Sequence, residues 1–569
     1  MQRYERAFSR LVADAAGIDE VEVRPLIKVP EPERGDLSIP CFPFAKKLRK
    51  NPAAIAAELV AAMPDDERFT RIEAVGPYIN ASLDPLRVVS EIIPEIRAAG
   101  DRFATADTGA GQRVVIEFSS PNIAKPLGFH HLRSTMIGSS LSRIHEALGY
   151  DVTRINFPGD WGKTFGLLAE AFDRFGDRSR LVEGGISYLL ELYVSANRAI
   201  DEDPSFDDAA RAMFRRQEEG DPHAFELWEL FRRISLEEFQ RIYDRLGVSF
   251  DFIEGESHYR DGLDRVVDEV TSTAGTREDQ GALVVDMEYR DGEPPLMLRK
   301  TDGATLYATR DIAAARDRWQ RFQFAKSLYV VGAEQKQHFE LLFRAIEAMG
   351  EAWASRMVHV RFGRVLGMST RKGKVVFLEE VLDEARERAA AKMREAAGER
   401  EIDIDEVAEQ VGIGGVIFGD LKNLRTSDYN FDWEEILNPR GFTGVCCQYA
   451  HARCCSILRK GGGAPEPSAV DLGLLKSPEE ATLVKELARI PAAVVAAADD
   501  LEPSRLARAV YEAARAWNRL QQAGNADRSL RIIVEDTDLR AARLALVDAT
   551  RIGLRKGLEL LGVAAPEAM

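Results

Sequence analysis

Lys125, His130 and His131 stand within seven positions of one another. An ammonium beside two imidazoles is a donor set suited to negative charge developing on phosphate or carboxylate oxygens. Arg113–Phe118, just upstream, is a short β-branched and aromatic run that reads as a buried strand. Ser119–Pro126 is a turn stretch, because Pro121 and Pro126 each bar helix at the residue before. Leu132, Met136, Leu141, Ile144 and Leu148 then recur at about helical spacing, and Gly149 supplies the stop. Strand, tight loop and helix start make a mouth where backbone N–H groups and the positive helix end face an anion. The glycine spacings of a dinucleotide fold or a P-loop are absent here, so another phosphate chemistry is indicated.

Two further groups carry chemistry. Gly367-Met-Ser-Thr-Arg-Lys-Gly373 is a basic loop between glycines, for which a solvated turn is the plain alternative. Tyr307 and Asp311 are four residues apart, hence on one face if Leu306–Ala315 is helical. A carboxylate there fits a guanidinium, which it can accept through two parallel N–H bonds. An ion pair of Asp311 with Arg310 or Arg316 is the rival reading.

Ser120-Pro-Asn-Ile-Ala-Lys-Pro126, the tetrad ending in His131 and Leu132-Arg-Ser-Thr135 together resemble the nucleotide-binding signature of arginyl-tRNA synthetases, a class I family. Gly367–Gly373 resembles that family's mobile loop, and Gly159-Asp-Trp-Gly162 and Asp302–Asp311 are similar to two more of its motifs. The resemblance runs from the N-terminal region to the last residue. It implies ATP-dependent ligation of L-arginine to its tRNA through an arginyl-adenylate, with Mg²⁺ accompanying the nucleotide and no protein-bound metal. It implies catalytic roles for Lys125, His130, His131, Arg371 and Lys372, and ATP contacts from Gly128, His131, His338, Met368, Ser369 and Thr370. Glu117, Ser120, Asn122, Tyr307, Asp311 and Gln335 would surround the arginine. Two departures stand out. The family's His-x-Gly-His tetrad is Gly128-Phe129-His130-His131, and Gly367 and Thr370 stand where the loop's lysines would be. Lys125 matches the lysine with which the family makes up for the missing loop lysine. The altered tetrad keeps open an inactive RNA-binding paralogue, and a second rival is an adenylate-forming enzyme that charges something other than tRNA.

The chain has 569 residues, 45% hydrophobic and 30% charged, which describes an ordinary protein of several domains without a membrane-length apolar run. Arg3, Glu5, Arg6 and Arg10 exclude a signal peptide at its start, and five cysteines are too few for a disulfide framework, so a reducing cytoplasm is expected. Cys446, Cys447, Cys454 and Cys455 lack the paired spacing of a zinc site and read as core residues. A net charge of −17 opposes nucleic-acid binding unless basic residues are gathered locally. They are gathered once: after Pro503-Ser504, an apolar stripe of Leu506, Val510, Ala513, Trp517 and Leu520 faces away from Arg505, Arg508, Arg515 and Arg519. That row fits an RNA backbone, with a solvent-facing row as the alternative. Tyr78 and Asn80 share one face of a strand opposite Ile79, a pairing able to stack on and hydrogen-bond an unpaired base, or simply to half-bury a tyrosine on a small sheet.

The expected fold is α/β: a parallel-sheet, Rossmann-like catalytic domain, a small α+β N-terminal domain and an all-α C-terminal domain, over residues 1–108, 109–440 and 441–569. Asp279–Asp286 and Pro295–Arg299 are read as strands returning to the catalytic region, Glu379–Arg400 as a charged solvated stem, and Gly412–Gly415 as a glycine-rich stretch after it. The family resemblance implies a monomer whose N- and C-terminal domains contact tRNA.

Overall fold

In a computed structural model, residues 1–301, 303, 305–367, 376–396, 403–467 and 470–569 are described. The N-terminal region runs α1 (Gln2–Ala16), α2 (Glu20–Val23), β1 (Leu37–Pro40), α3 (Ala45–Leu48), α4 (Pro52–Ala62), β2 (Phe69–Val75), β3 (Tyr78–Leu83) and α5 (Pro85–Ala99). Asn51 and Asp84 start α4 and α5 by accepting backbone N–H groups, each followed by a proline whose missing donor costs nothing there. β3 lies between β1 and β2 in an antiparallel sheet.

The catalytic region continues with β4 (Arg113–Glu117), α6 (His131–Ala147), β5 (Asp151–Asn156), α7 (Lys163–Phe175), α8 (Arg178–Glu202), α9 (Ser205–Glu218), α10 (Pro222–Leu246) and β6 (Phe252–Ile253). Next come α11 (Leu263–Thr273), β7 (Thr276–Asp279), β8 (Ala282–Val285), β9 (Met297–Arg299), α12 (Tyr307–Phe322), β10 (Lys326–Tyr329), α13 (Lys336–Ala348), β11 (Met357–His359) and β12 (Val365–Leu366). Five strands form one parallel sheet in the order β11-β10-β4-β5-β6. The chain runs outward from β4 through β5 to β6, then returns to build β10 and β11 on the other side. The switch point therefore lies between β4 and β10, where an open parallel sheet binds its ligands. The start of α6 stands at that point. β7, β8 and β9 do not join this sheet; they form a separate antiparallel one. Gln280 and Gly281, both at positive φ, make the tight turn that sends β8 back along β7.

α14 (Leu378–Ala396) and α15 (Ile404–Leu421) form the stem, followed by β13 (Tyr429–Asn430) and α16 (Trp433–Ile436). Gly412–Gly415 lies inside α15 and is buried. A Cβ on Gly412 would stand 2.6 Å from the Ala385 carbonyl carbon of α14, so the glycine permits the two helices to touch backbone to backbone. α17 (Gly444–Gly461), α18 (Pro478–Asp499), α19 (Ser504–Ala526) and α20 (Thr537–Leu560) make the all-helical C-terminal part. Cys446, Cys447, Cys454 and Cys455 are buried free thiols of α17. The expected stripe on α19, Leu506, Val510, Ala513, Trp517 and Leu520, is buried throughout. No helix among the described residues is long and apolar enough to cross a membrane.

Candidate functional site

The chain leaves β4 through Ser119 and Ser120, both at positive φ (68° and 46°), a conformation that side chains disfavour. Hydroxyls hold the bend. The Ser119 N–H donates to Ser134 Oγ at 3.0 Å, and Ser134 donates onward to the Val330 carbonyl at 2.7 Å. Ser119 Oγ lies 2.8 Å from both Thr135 Oγ1 and the Tyr243 hydroxyl. Ser134 and Thr135 belong to the first turn of α6, so the helix start fixes the loop that delivers it. Asn122 is exposed beyond the bend, where its loop bridges Gly159; a Cβ on Gly159 would strike Asn122 Oδ1 at 2.0 Å. Asp160, next in that motif, is structural: it takes Arg232 Nε and the Ser257 N–H at 2.8 and 2.9 Å.

Lys125, Gly128, His130 and His131 line one cleft of about 1050 Å³, with Val194 of α8 and Phe377 on the far walls. Gly128 has a specific use. A Cβ there would lie 2.6 Å from His130 Cε1, so the imidazole of His130 occupies the space over the glycine. The His130 and His131 rings sit 4.0 Å apart. His131 Nδ1 stands 3.2 Å from the Gly128 carbonyl, an acceptor, so Nδ1 carries the proton and Nε2 is left as a lone-pair acceptor. Burial, reinforced by neighbouring His130, pushes the His131 pKa down to about 3. Burial also lowers that of His130. Both rings are neutral near pH 7, and Lys125 is the formal cation among them. The cleft backbone is tied to the far end of the basic loop: Phe129 N–H donates to the Val376 carbonyl at 3.0 Å, and Leu378 N–H to the Leu127 carbonyl at 2.7 Å. Met368, Ser369, Thr370, Arg371 and Lys372 lie outside the described residues.

The second half of the site is built on α12. Tyr307 opens that helix and is 57% exposed, and Asp311 follows one turn later. Asp311 is paired neither with Arg310 nor with Arg316. Its Oδ2 lies 2.6 Å from His338 Nε2, and the Tyr307 ring stands 5.0 Å from the His338 ring. His338 thus sits with the carboxylate of α12. Gln335 is exposed at the start of α13. Ser120 Oγ receives the Phe157 N–H at 3.3 Å. Glu117, which the resemblance assigns to the arginine pocket, is 6% exposed, with Oε2 at 2.6 Å from Arg318 Nη1. Burial lifts its carboxyl above the usual range, and the guanidinium opposes that lift. Sequence reasoning missed Arg318 because a lone arginine on an amphipathic helix carries no signal of burial. It also missed Glu256, whose carboxyl burial pushes up to about 7 against the pull of Arg310, 3.5 Å away.

At the expected RNA-facing positions the picture is mixed. Tyr78 is half-buried and meets the exposed Phe42 edge to face at 5.9 Å. Asn80, expected on an open face, is 3% exposed; it lies on the central strand β3, opposite Ser38 and Glu73. Arg505, Arg508, Arg515 and Arg519 are exposed on α19. Arg505 pairs with Asp500 at 2.6 Å and Arg515 with Glu512 at 2.7 Å, while Arg508 lies over the Phe442 ring.

A polar helix mouth at the switch point of a parallel sheet, with a cation on one side and a carboxylate pocket on the other, defines a nucleotide-using α/β catalytic domain. Comparison with known proteins agrees. The family model for the catalytic domain of class I tRNA synthetases (R) matches residues 93–433, that for the arginyl tRNA synthetase N-terminal domain residues 2–83, and that for the DALR anticodon binding domain residues 447–569. The chain is 44% identical to an arginine–tRNA ligase of Lactococcus lactis, over 100% of this chain and 99% of that one. It is 40% identical to one of Clostridium perfringens, with both chains covered completely. The solved arginyl-tRNA synthetase of Thermus thermophilus superposes with a TM-score of 0.81 at 26% identity, over 99% of this chain and 100% of that one. This chain belongs to the arginyl-tRNA synthetase family, class I.

The neutral, Nδ1-protonated state of His131 is directly testable. Imidazole nitrogen NMR of the ligand-free protein should show this residue fixed in one tautomer between about pH 5 and 8. A titration with a midpoint near the ordinary 6.5 would contradict the geometry.

Proposed function

We propose that the chain ligates L-arginine to tRNA(Arg) in two steps, with ATP spent in the first, and that the pocket on α12 selects the arginine. The reading rests on one observation above all: Asp311 and Tyr307 project from one face of α12, and Asp311 acts electrostatically on Glu117 at the end of β4, the strand that leads into the mouth of α6. Activation requires the arginine carboxylate to attack the α-phosphorus of ATP as pyrophosphate leaves. The protein must align the two and spread the developing charge.

On the nucleotide side, Lys125 and the N–H groups opening α6 face the phosphates. His131 offers Nε2 as an acceptor, which suits a ribose hydroxyl, and His130 lies over Gly128 at the same rim. Arg371, Lys372, Met368, Ser369 and Thr370 of the basic loop, outside the described residues, are assigned to the nucleotide by the family resemblance. Mg²⁺ arrives with ATP as part of the substrate, held by phosphates and water. On the amino-acid side, Asp311 exchanges His338 for the substrate guanidinium, Tyr307 covers it, and Asn122, Ser120 and Gln335 meet the α-amino and carboxylate end. Glu117, its charge met by Arg318, acts from behind by holding α12 in place. The units 1–108, 109–440 and 441–569 act together as a cytoplasmic monomer. Tyr78, with Asn80 supporting its strand, and the arginines of α19 hold the tRNA.

Purified protein given radiolabelled arginine, ATP and bulk tRNA should charge that tRNA. Failure to charge it, or equal charging with lysine, would defeat the proposal. Asp311→Asn should reduce kcat/KM for arginine at least tenfold with ATP affinity nearly intact, because charge-assisted bonds contribute roughly 1.5–3 kcal/mol. An unchanged arginine KM and rate would remove Asp311 from the pocket. Arg508→Glu combined with Arg515→Glu should weaken tRNA binding and flatten its salt dependence. Unchanged affinity in a folded variant would make that helix face merely solvated.

A further inference from the structure

Lys125 is half-buried at the rim of the nucleotide cleft, and its ammonium rests on an aromatic ring. Nζ lies 3.8 Å from the centre of the Tyr193 ring, and among the described residues no carboxylate pairs with it. Tyr193 belongs to α8, whose Leu190 and Val194 form a wall of the cleft. Its ring is fixed by packing against two apolar clusters of the inserted helices, one containing Phe165 and Leu189, the other Phe206 and Ala210.

We propose that Tyr193 is a positioning residue for Lys125. The neutral ring face holds the ammonium at the mouth of α6 without cancelling its charge. A carboxylate would hold a lysine more firmly, but it would place a second anion beside the incoming phosphates and would have to release its partner before ATP was engaged. The face of a ring attracts the cation through its quadrupole and leaves the full charge available. The inserted helices thereby set the aim of a cation that belongs to the loop after β4. This inference rests on the reading of Lys125 as a phosphate-facing group and goes beyond it in naming what holds the lysine.

The test is arginine-dependent ATP–pyrophosphate exchange, with tRNA present, for Lys125→Ala, Tyr193→Phe, Tyr193→Leu and the double variant Lys125→Ala/Tyr193→Leu. Lys125→Ala should slow exchange on the order of 10²-fold. Tyr193→Leu should lower kcat about tenfold, the upper range of a cation–π contact, with the arginine KM unchanged. Tyr193→Phe, which keeps the ring face and loses the hydroxyl that Lys125 also engages, should lie between the parent and Tyr193→Leu, and the double variant should be no slower than Lys125→Ala alone. The proposal is overturned if Tyr193→Leu matches or exceeds the parent rate while Lys125→Ala is slow. It is equally overturned if Tyr193→Leu costs as much in the Lys125→Ala background, since the tyrosine would then act through packing alone. A parent rate for Lys125→Ala would instead reject the underlying reading of the lysine.

Discussion

A carboxylate buried at the end of β4 and a guanidinium buried in α12 keep the two halves of this site in register. Glu117 and Arg318 meet at 2.6 Å with both side chains almost wholly removed from solvent. Such a pair contributes little net stability, because desolvation offsets most of the attraction. Removing one partner, however, strands a buried charge at a cost of about 3–5 kcal/mol. The pair therefore works as a registration device. It ties α12 to the strand from which the α6 mouth departs, and Asp311, seven residues before Arg318, lies on the same side of that helix. The carboxylate proposed to read the amino acid is thereby set at a fixed place relative to the groups proposed to read the nucleotide.

That registration matters because the two substrates carry opposite charges into one cleft. A guanidinium needs an anion and a triphosphate needs cations, and a mixed site would satisfy its own charges first. Lys125 and two neutral imidazoles line one cleft, which also carries Glu380 and Glu384 of α14, while Asp311, Tyr307 and the Glu117–Arg318 pair are grouped on and behind α12. Neutral histidines suit this division, since they add hydrogen-bonding capacity without competing with substrate arginine for the carboxylates. The same problem exists at the scale of the whole chain, whose net charge is −17. The arginines of α19 are a local reversal, tempered by Asp500 and Glu512.

Much of this was legible in the residues. The buried strand, turn and helix from Arg113 to Gly149 stand as their apolar spacing required, and Tyr307 and Asp311 share a helix face as their separation demanded. What escaped depends on contacts distant in sequence. The β7–β9 strands have proper strand composition, but composition does not say which sheet a strand joins. Gly412–Gly415 reads only as glycine-rich and is in fact part of a buried helix, in which Gly412 lets α15 meet the backbone of α14. Glu117 was recognisable as a site residue, while its partner Arg318, 201 positions later, was not. The same holds for Tyr193, which reaches Lys125 from a helix that sequence reading treated only as an insertion. The strain at Ser119 and Ser120 is invisible too, because it exists only where the hydroxyls of α6 and α10 compel it.

The central claim is that the Glu117–Arg318 pair aims the arginine pocket without touching the nucleotide. Steady-state kinetics of Arg318→Lys address it most directly, since lysine keeps the charge and loses the planar fork. The account predicts an arginine KM raised about tenfold or more with the ATP KM unchanged. An unaltered arginine KM, or an equal rise in both constants, would contradict it.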